Sequence, residues 1–299
     1  MSSYSFSIII PIYNTDPKWL STCFASIAEQ NYENWECIIV DDGSTDEKVI
    51  KFIDNFIAHH PKFFLVRSAK NVGPGAARNL GMDNSKNDLI LYCDSDDYLD
   101  DGALVKINDI FQKHRELEIL SFNSYILTNI GIYKMALTYD GYPINQILNM
   151  DINYNIIKNK NVVWLHCYKR NFLNEKKIAF HPTIRYAEDA YYQFVCYSRA
   201  STIMIIDDAF VMHRIAFETM SKTWSIPAKM QSSLDALIFA YYAIKPDHSF
   251  LARNYPAFFD FFFKKYTKIA DEAHANEKWY LDMQEQAKQF RLSITGGNN

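Results

Sequence analysis

The chain has 299 residues, of which 48% are hydrophobic and 15% aromatic, so it can bury one or two sizeable cores. Its formal net charge of −4 argues against a nucleic-acid-binding protein, since such proteins usually have a basic face. Its 5 cysteines include no Cys-x-x-Cys pair, which argues against a disulfide framework or zinc knuckle and favours a reducing compartment. Neither a signal peptide nor an apolar stretch of the roughly 18 residues that span a membrane is evident. We therefore expect a cytoplasmic protein.

Residues 1–101 alternate between short apolar runs and stretches with helical periodicity. The first such stretch begins with Asp16 as a cap and Pro17 at the first helical position. In the second, Ser44 and Glu47 have the spacing of a capping box, which predicts Ser44 as the cap. Short links and strands that are apolar throughout predict an α/β fold, with a mostly parallel central sheet and helices on both faces. The predicted strands are YSFSIIIPIYN, WECIIVDD, FFLVRS and LILYC.

The pattern changes after residue 101. Residues 118–140 are predicted to be rich in β-structure, with a turn near Asn129–Gly131, and residues 143–180 are mixed. Residues 187–200 predict a helix, and residues 201–215 predict a strand that runs into a polar loop. The remainder is aromatic and helical in pattern, which predicts a C-terminal helical extension over residues 226–299.

Polar residues follow each predicted strand of residues 1–101. Tyr13 follows the first strand, Asp41–Asp42 the second, Asn71–Gly75 the third and Asp94–Asp97 the fourth. In an open parallel sheet the carboxyl ends of the strands lie at one edge, and ligands bind in the crevice there. We therefore expect an aromatic side chain, several carboxylates and a glycine-containing turn to meet at one site.

Asp94 and Asp96 are separated by one residue, and Asp97 follows. Carboxylates in this arrangement can hold a hard divalent cation, which neutralises phosphate oxygens. The alternative is a solvated, aspartate-rich turn, which is the commoner meaning of Asp-x-Asp in a loop. The predicted position at the edge of a parallel sheet favours the metal site.

The segment VDDGSTD contains ordinary turn and cap residues. Two adjacent carboxylates exceed what capping needs, so we assign one of them, Asp42 in preference to Asp41, to a ligand. A carboxylate can accept a hydrogen bond from an imide N–H such as that of uracil. Tyr13 could pack against the same base, although a tyrosine near a strand end also fits a core position.

The segment NVGPGAARNLG combines a glycine-containing turn with a helix N-terminus, which suits phosphate binding. It lacks the Rossmann and Walker glycine patterns, so neither a nicotinamide site nor a P-loop is supported. Arg78 and Asn79 could face a ligand, or the segment could be a surface helix. Glu188 and Asp189 are ordinary residues for the start of a helix, but a functional role would need one of them to accept a proton from a hydroxyl nucleophile.

Together these segments resemble the inverting glycosyltransferase family 2, whose members use nucleotide sugars and have the GT-A fold. The resemblance covers residues 5–225 and follows the family's order. It implies a Rossmann-like sheet and a GT-A domain over residues 1–225, with a nucleotide-sugar-binding half (1–101) and an acceptor half (102–225). The matching segments are SIIIPIYN, WECIIVDDGSTD, NVGPGAARNLGM, LILYCDSDDYL, VVWLHCYKRNFL and IRYAEDAYYQF.

The resemblance also implies roles for single residues. Asp189 matches the catalytic base, and Glu188 is its neighbour. Asp96 matches the metal ligand and Asp94 the carboxylate that commonly meets the ribose and metal, with Asp97 as a further metal ligand. The implied donor-binding residues are Pro11 and Tyr13 beside the uridine, Asp42 on the base, and Gly73 and Arg78 in the following turn and helix.

Two places depart from the family's pattern. Ala187 precedes the Glu-Asp pair, where the family usually has glycine. His213 and Arg214 stand where many members have Tyr-Arg, and Lys222 follows. His213 could be a further metal or diphosphate ligand or a structural histidine, and Arg214 and Lys222 could contact the phosphates.

The implied reaction moves a hexose or N-acetylhexosamine from a UDP-sugar, with Mn²⁺ or Mg²⁺, to a hydroxyl of a saccharide or lipid-linked acceptor in bacterial surface-glycan synthesis. The main alternative is a non-catalytic nucleotide-sugar or glycan-binding module on the same fold. Tyr98 disfavours an aspartate-nucleophile phosphatase, and a nucleotidyltransferase would not need a base at Glu188–Asp189. Residues 227–299 either dock on the inner face of the cell membrane or pack on the catalytic domain.

Overall fold

The computed structural model describes residues 3–128, 130–135, 143–149, 158, 162–215, 225–247 and 249–296. The strands are β1 Phe6–Ile12, β2 Trp35–Asp41, β3 Phe63–Arg67, β4 Leu89–Tyr92, β5 Tyr98–Leu99, β6 Ile119–Thr128, β7 Gly131–Lys134, β8 Ile147–Asn149, β9 His166–Lys169 and β10 Thr202–Arg214. The helices are α1 Pro17–Ala28, α2 Glu47–Ile57, α3 Pro74–Asp83, α4 Ala103–Lys113, α5 Arg170–Glu175, α6 Glu188–Arg199, α7 Ile226–Ile244, α8 Phe250–Arg253, α9 Tyr255–His274 and α10 Lys278–Thr295. Short 3₁₀ helices span Val163–Leu165 and Lys245–Asp247.

The strands form one mixed sheet in the order β3–β2–β1–β4–β9–β6–β10–β5, with β7 paired to β6 and β8 to β10. β1 is parallel to β2 and β4, and β2 is parallel to β3. β9 is antiparallel to both β4 and β6, so β6 and its parallel neighbour β10 run in the direction of β1. The predicted central sheet is confirmed, and β9 is an antiparallel strand inserted between its two halves.

A crevice opens where β1 and β4 end, because β2 and β3 lie on one side of β1 and β4 lies on the other. Thr15 Oγ1 and Ser95 Oγ lie 2.7 Å apart and join the segments that leave these strands. β5 follows the end of β4 and pairs with β10, so that Tyr98 lies opposite Met212. The end of β10 therefore reaches the same edge of the sheet.

Alternate residues of β1 point into two hydrophobic cores. Ile8 and Ile10 belong to the core that α1, α2 and α4 cover. Ile9 belongs to the opposite core, which α3, α6 and the C-terminal helices cover. Helix α3 lies so close to the sheet that a Cβ at Gly81 would be 2.3 Å from Cγ2 of Ile9. The predicted helices on both faces are confirmed.

The helix caps confirm one prediction and correct another. The Asp16 side chain accepts a hydrogen bond from the backbone N–H of Lys18 and caps α1. The predicted cap of α2, Ser44, is wrong, because Asp46 caps that helix. The hydroxyl of Ser44 instead accepts a hydrogen bond from the backbone N–H of Asn14 at 3.0 Å, and so joins the ends of β1 and β2.

The C-terminal helices pack against α6 through aromatic side chains. Phe194 of α6 makes edge-on contacts with Tyr255, Phe258 and Phe262, all of them buried. This packing confirms the predicted helical extension and shares one core between the extension and the sheet. Among the described helices, none combines the length and the hydropathy needed to cross a membrane. The cysteines Cys23, Cys37, Cys93, Cys167 and Cys196 are free and buried.

Candidate active site

Asp42 is buried at the end of β2, where its carboxylate holds the turn that precedes α3. Its oxygens accept hydrogen bonds from the backbone N–H groups of Val72 and Gly73, each at 2.8 Å. Gly73 has a φ of 95°, a conformation that favours glycine. Burial raises the pKa of Asp42 above its ordinary value, although the two N–H donors oppose this shift. Asp42 thus shapes the turn, and its contact with a base stays a prediction.

Arg185, which was not among the predicted site residues, reaches the same turn from the segment before α6. Its guanidinium donates to Oδ1 of Asn71 at 2.7 Å and to the Asn71 carbonyl at 3.0 Å. A Cβ at Gly73 would lie 3.3 Å from Cγ of Arg185. Arg185 therefore adds a positive charge beside Asp42. No local pattern marks it, because its partners are distant in sequence.

The buried guanidinium of Arg78 joins the end of β4 to the start of α6. One terminal nitrogen donates to Asp94 at 2.8 Å. The other donates to Glu188 at 2.8 Å and to Asp189 at 3.1 Å. Arg78 was predicted to bind the donor; this contact stays a prediction, and the ion pairs give Arg78 a structural role in bringing Asp94 and Asp189 together. The accompanying prediction for Asn79 is not supported, since its side chain exchanges two hydrogen bonds with the backbone of Phe180.

Asp189 has the environment of a proton acceptor. Its Oδ1 accepts from Arg78, and its Oδ2 accepts from the backbone N–H of Val163 at 3.2 Å. Burial raises the pKa of Asp189 to about 8; Arg78 opposes the shift, and the nearby Glu188 and Asp94 add to it. Burial also raises the pKa of Glu188. The Asp189 side chain keeps 18% of its surface exposed, so a hydroxyl group in the crevice can reach it.

Ala187 adopts a left-handed conformation, with a φ of 61°, immediately before α6. This conformation favours glycine, which explains why the family usually has glycine at the matching position. The conformation lets the chain turn so that Glu188 and Asp189 begin the helix. Their negative charges lie at its N-terminus, where the helix dipole favours them.

Asp96 and Asp97 lie beside Asp94 but have different surroundings. Burial raises the pKa of Asp96 to about 7, and the charges of Asp97 and Asp94 add to the shift. Asp97 is buried and accepts from Nδ1 of His213 at 3.0 Å and from the backbone N–H of Arg214 at 2.8 Å. Burial raises the pKa of Asp97, although His213 opposes the shift. Asp96 therefore offers the more open carboxylate.

His213 and Arg214 lie at the end of β10, beside this acidic group. Burial disfavours a charge on His213, but the hydrogen bond to Asp97 and the surrounding carboxylates raise its pKa. The His213 ring stacks on Trp164 at a centroid distance of 4.7 Å. Arg214 Nε donates to the backbone carbonyl of Asp96 at 3.1 Å, and its guanidinium lies over the ring of Trp19. Lys222, predicted to contact phosphate, lies outside the described residues.

The acidic group of Asp94, Asp96 and Asp97 suits a divalent cation that is bound together with a substrate phosphate. Nowhere in the described ranges do three His, Cys, Asp or Glu side chains form a ready metal site. Mg²⁺ in phosphate-transferring sites is usually held by one or two carboxylates, with substrate phosphates and water completing its shell. Burial raises the pKa of Asp96 most, and a bound cation would relieve the repulsion from Asp97 and Asp94 that adds to this shift. Asp96 with Asp94 thus fits a metal that arrives with a diphosphate.

The predicted site residues outside the acidic group also lie at the crevice. Pro11 is in β1 opposite Val40, and Tyr13 follows β1 with an exposed side chain. The structure thus brings Asp94, Asp96, Asp97, Glu188 and Asp189 into one charged group. Asp42 lies next to this group: it accepts from the N–H of Gly73, and a Cβ at Gly75, two residues further on, would lie 3.4 Å from Cβ of Glu188.

This chain matches a family model of glycosyltransferases and is similar to two proteins that are themselves named as glycosyltransferases. Residues 7–179 match the family model described as glycosyl transferase family 2. An uncharacterized glycosyltransferase of Haemophilus influenzae is 40% identical over 109 residues, which are 36% of this chain and 43% of that protein. A poly(ribitol-phosphate) beta-glucosyltransferase of Bacillus spizizenii is 28% identical over 242 residues, 78% of this chain and 36% of that protein. The chain therefore spans less than half the length of each of these relatives.

Solved structures show the same fold at low sequence identity. The crystal structure of S. aureus TarS 1–349 in complex with UDP-GlcNAc is similar with a TM-score of 0.77 and 18% identity. The similarity covers 98% of this chain and 83% of that one, so it includes the C-terminal helices. This likeness confirms the predicted GT-A fold.

Proposed function

Because the chain belongs to glycosyl transferase family 2, we propose that it moves a hexose or N-acetylhexosamine from a UDP-sugar to a hydroxyl of a saccharide or lipid-linked acceptor. The observation that carries this proposal is the contact of Arg78 with both Asp94 and Asp189. It puts a carboxylate with a pKa near 8 beside the strand end where a nucleotide diphosphate would lie. The similarity to TarS in complex with UDP-GlcNAc supports the choice of donor.

The proposed reaction is a single displacement with inversion at the anomeric carbon. The acceptor oxygen forms a bond to that carbon while the bond to the UDP oxygen breaks, and Asp189 takes the proton of the hydroxyl. Val163 N–H and Arg78 hold the two oxygens of Asp189, which fixes the direction from which the proton is removed. Because the hydroxyl attacks from the side opposite UDP, the configuration inverts.

The leaving diphosphate gains negative charge as its bond to the sugar breaks. Asp96 and Asp94 would hold Mn²⁺ or Mg²⁺, which supplies Lewis-acid stabilisation of that charge when bound. Arg214 lies at the same edge and adds a positive charge. We assign His213 to orienting Asp97, since its Nδ1 is already engaged with that carboxylate.

The proposed uridine site is the far side of the crevice. Asp42 would accept the imide N–H of the base with lone pairs that its bonds to Val72 and Gly73 leave available, since each carboxylate oxygen has two. Tyr13 would cover the base, with Pro11 beside it. Arg185 closes the site at the turn, where it contacts Asn71.

The acceptor is proposed to be a bacterial surface polymer or its lipid-linked precursor. The poly(ribitol-phosphate) glycosyltransferases among the relatives support this class.

We assign the protein to the cytoplasm, with peripheral contact at the inner face of the membrane through the C-terminal helices. Tyr242 and Leu281 expose apolar surface there. Sedimentation with anionic liposomes tests this contact: Tyr242→Ser with Leu281→Ser should reduce it, and a chain that stays in the supernatant would contradict it.

The test of the function is release of UDP from UDP-glucose and UDP-GlcNAc, with ribitol phosphate or simple saccharides as acceptors. We expect release with Mn²⁺ or Mg²⁺, and its loss on addition of EDTA. UDP binding without release from any donor and acceptor would contradict transfer and favour the non-catalytic binding module.

A further inference from the structure

We propose that His166 is a positioning residue for Asp189, acting through the peptide group that joins Val162 to Val163. The proposal rests on the proposed function, because positioning Asp189 matters to a reaction only if the chain transfers a sugar. Its basis is a buried hydrogen-bond network that runs along one face of α6.

Three side chains on α6 are spaced by four residues and therefore lie on one face of the helix. Each of them contacts the segment 162–166, which contains the 3₁₀ helix Val163–Leu165 and the first residue of β9, His166. Asp189 accepts from the N–H of Val163 at 3.2 Å, Gln193 Nε2 lies 3.4 Å from the carbonyl oxygen of Val162, and the Tyr197 hydroxyl lies 2.6 Å from Nε2 of His166. The helix that carries the base thus holds the segment that contacts the base.

The carbonyl of Val162 and the N–H of Val163 belong to the same peptide group. His166 Nδ1 lies 2.8 Å from that carbonyl oxygen, as a donor would. A hydrogen bond to the carbonyl polarises the peptide group, which strengthens its N–H as a donor to Asp189. With Nδ1 protonated, Nε2 of His166 accepts from the hydroxyl of Tyr197, so both ring nitrogens have a partner.

The hydrogen bonds of this network are shielded from water. His166 and Gln193 have no exposed surface, so water cannot replace their hydrogen bonds. The same turn carries Trp164, which stacks on His213 at an interplanar angle of 18°. His213 in turn donates to Asp97. The segment 162–166 therefore contacts the proposed base, Asp189, on one side, and on the other side it supports Asp97 through Trp164 and His213. The His166 ring holds the backbone of this segment in place.

The experiment compares His166→Asn with His166→Gln in the full chain. An Asn amide nitrogen reaches the place of ring Nδ1, and a Gln amide nitrogen reaches the place of Nε2, so only Asn keeps the donor to Val162. With UDP-glucose or UDP-GlcNAc as donor, we expect the Gln variant to lose about 10- to 100-fold in kcat with donor KM changed less than about threefold. The Asn variant should stay within about threefold of wild type in both. Equal kcat in the two variants would overturn the proposal.

Amide hydrogen exchange of the segment 162–166 gives a readout that does not need turnover. Exchange should be faster in the Gln variant than in the Asn variant, and equal exchange would overturn the proposed contact even if wild type releases no UDP. If wild type is inactive and the exchange rates of the two variants differ, only the proposed function is contradicted.

If the Gln variant has a low melting temperature, Tyr197→Phe is a milder alternative, because it removes only one hydroxyl. Its kcat should fall about threefold to tenfold at unchanged donor KM, and an unchanged kcat would overturn the proposal.

Discussion

The two halves of the sheet hold their polar side chains in different ways. In residues 1–101 these groups stand directly after strands, and their contacts join neighbouring strand ends, as Asp42 does with the turn at Gly73. In residues 102–225 the carboxylate of Asp189 stands at the start of a helix. It is held by Arg78, 111 positions earlier in the chain, and by the backbone of Val163. The N-terminal half (residues 1–101) thus forms its crevice from local geometry, whereas the C-terminal half (residues 102–225) depends on a cation, Arg78, that the N-terminal half supplies.

This difference identifies Arg78 as the residue whose substitution should disturb the structure of the site most. Arg78 is a single buried cation that contacts three carboxylates, those of Asp94, Glu188 and Asp189. Those carboxylates raise the pKa of Arg78, against the effect of its burial, so it stays charged. A change at Arg78 must therefore affect both halves, while Asp189→Asn should lower turnover with little effect on UDP affinity.

The largest expected effect is that of Asp189→Asn. Loss of the base should lower kcat by at least about 100-fold, the low end for general-base catalysis, with UDP affinity changed less than about threefold. Asn keeps the size of Asp and can still accept from Val163, so folding should be preserved. Steady-state kinetics and calorimetric titration with UDP measure the two quantities, and Asp101→Asn, an exposed carboxylate, is the matched control. A variant with nearly normal turnover would remove Asp189 from its role.

Arg78→Met should damage both halves at once. Without the guanidinium, three carboxylates remain close together in a poorly hydrated site, which should lower the free energy of unfolding by about 3–5 kcal/mol. Arg78→Lys should cost less, because it keeps the charge but not the forked geometry. Urea denaturation of both variants measures the difference. Unchanged stability in the Met variant would show that Arg78 does not couple the halves.

The pH dependence of kcat tests the proposed role of Asp189 by itself. Asp189 must be ionised to accept a proton, and burial raises its pKa to about 8. At saturating donor and metal, kcat should therefore rise about tenfold per pH unit well below that value and level off above it. This rise of kcat with pH should disappear in Asp189→Asn. A kcat that does not change with pH in wild type would contradict the raised pKa of Asp189.

The same shift has a defined consequence for stability. The pKa of Asp189 rises from an ordinary 3.8 to about 8 on folding, so between these values the folded state binds more protons than the unfolded one. The contribution of Asp189 to stability is therefore present at low pH and is lost as the pH rises through about 8. Urea denaturation at several pH values should show that Asp189→Asn flattens this decline, and identical pH profiles in the variant and wild type would contradict it.

The smallest expected effect is that of Ala187→Gly at the turn before α6. Ala187 has a φ of 61°, and a left-handed residue with a Cβ costs about 1 kcal/mol. Gly should relieve this strain and, after its larger entropy loss on folding, stabilise the chain by up to about 1 kcal/mol. Ala190→Gly, inside the same helix, should instead destabilise it by about 1 kcal/mol. A loss of stability in both variants would show that the turn is not strained.

How far the sequence predicts this site depends on how local each contact is. The strands of residues 1–101 and the acidic residues after them follow from periodicity and turn chemistry. The cap of α2 is mispredicted, because Ser44 is engaged by Asn14, 30 positions away. Arg185 has no local signal, since its partner Asn71 is 114 positions away. The carboxylate partners of Arg78 likewise emerge only when the halves pack together.

Crystals grown with UDP and Mn²⁺, measured at the manganese absorption edge, test most directly whether the N-terminal half and the C-terminal half form one site. We expect a manganese peak beside Asp96, next to the diphosphate of UDP, with Asp189 facing the same crevice. UDP in the groove lined by Trp35 and Phe64 at the opposite edge of the sheet, or manganese remote from Asp96, would contradict it.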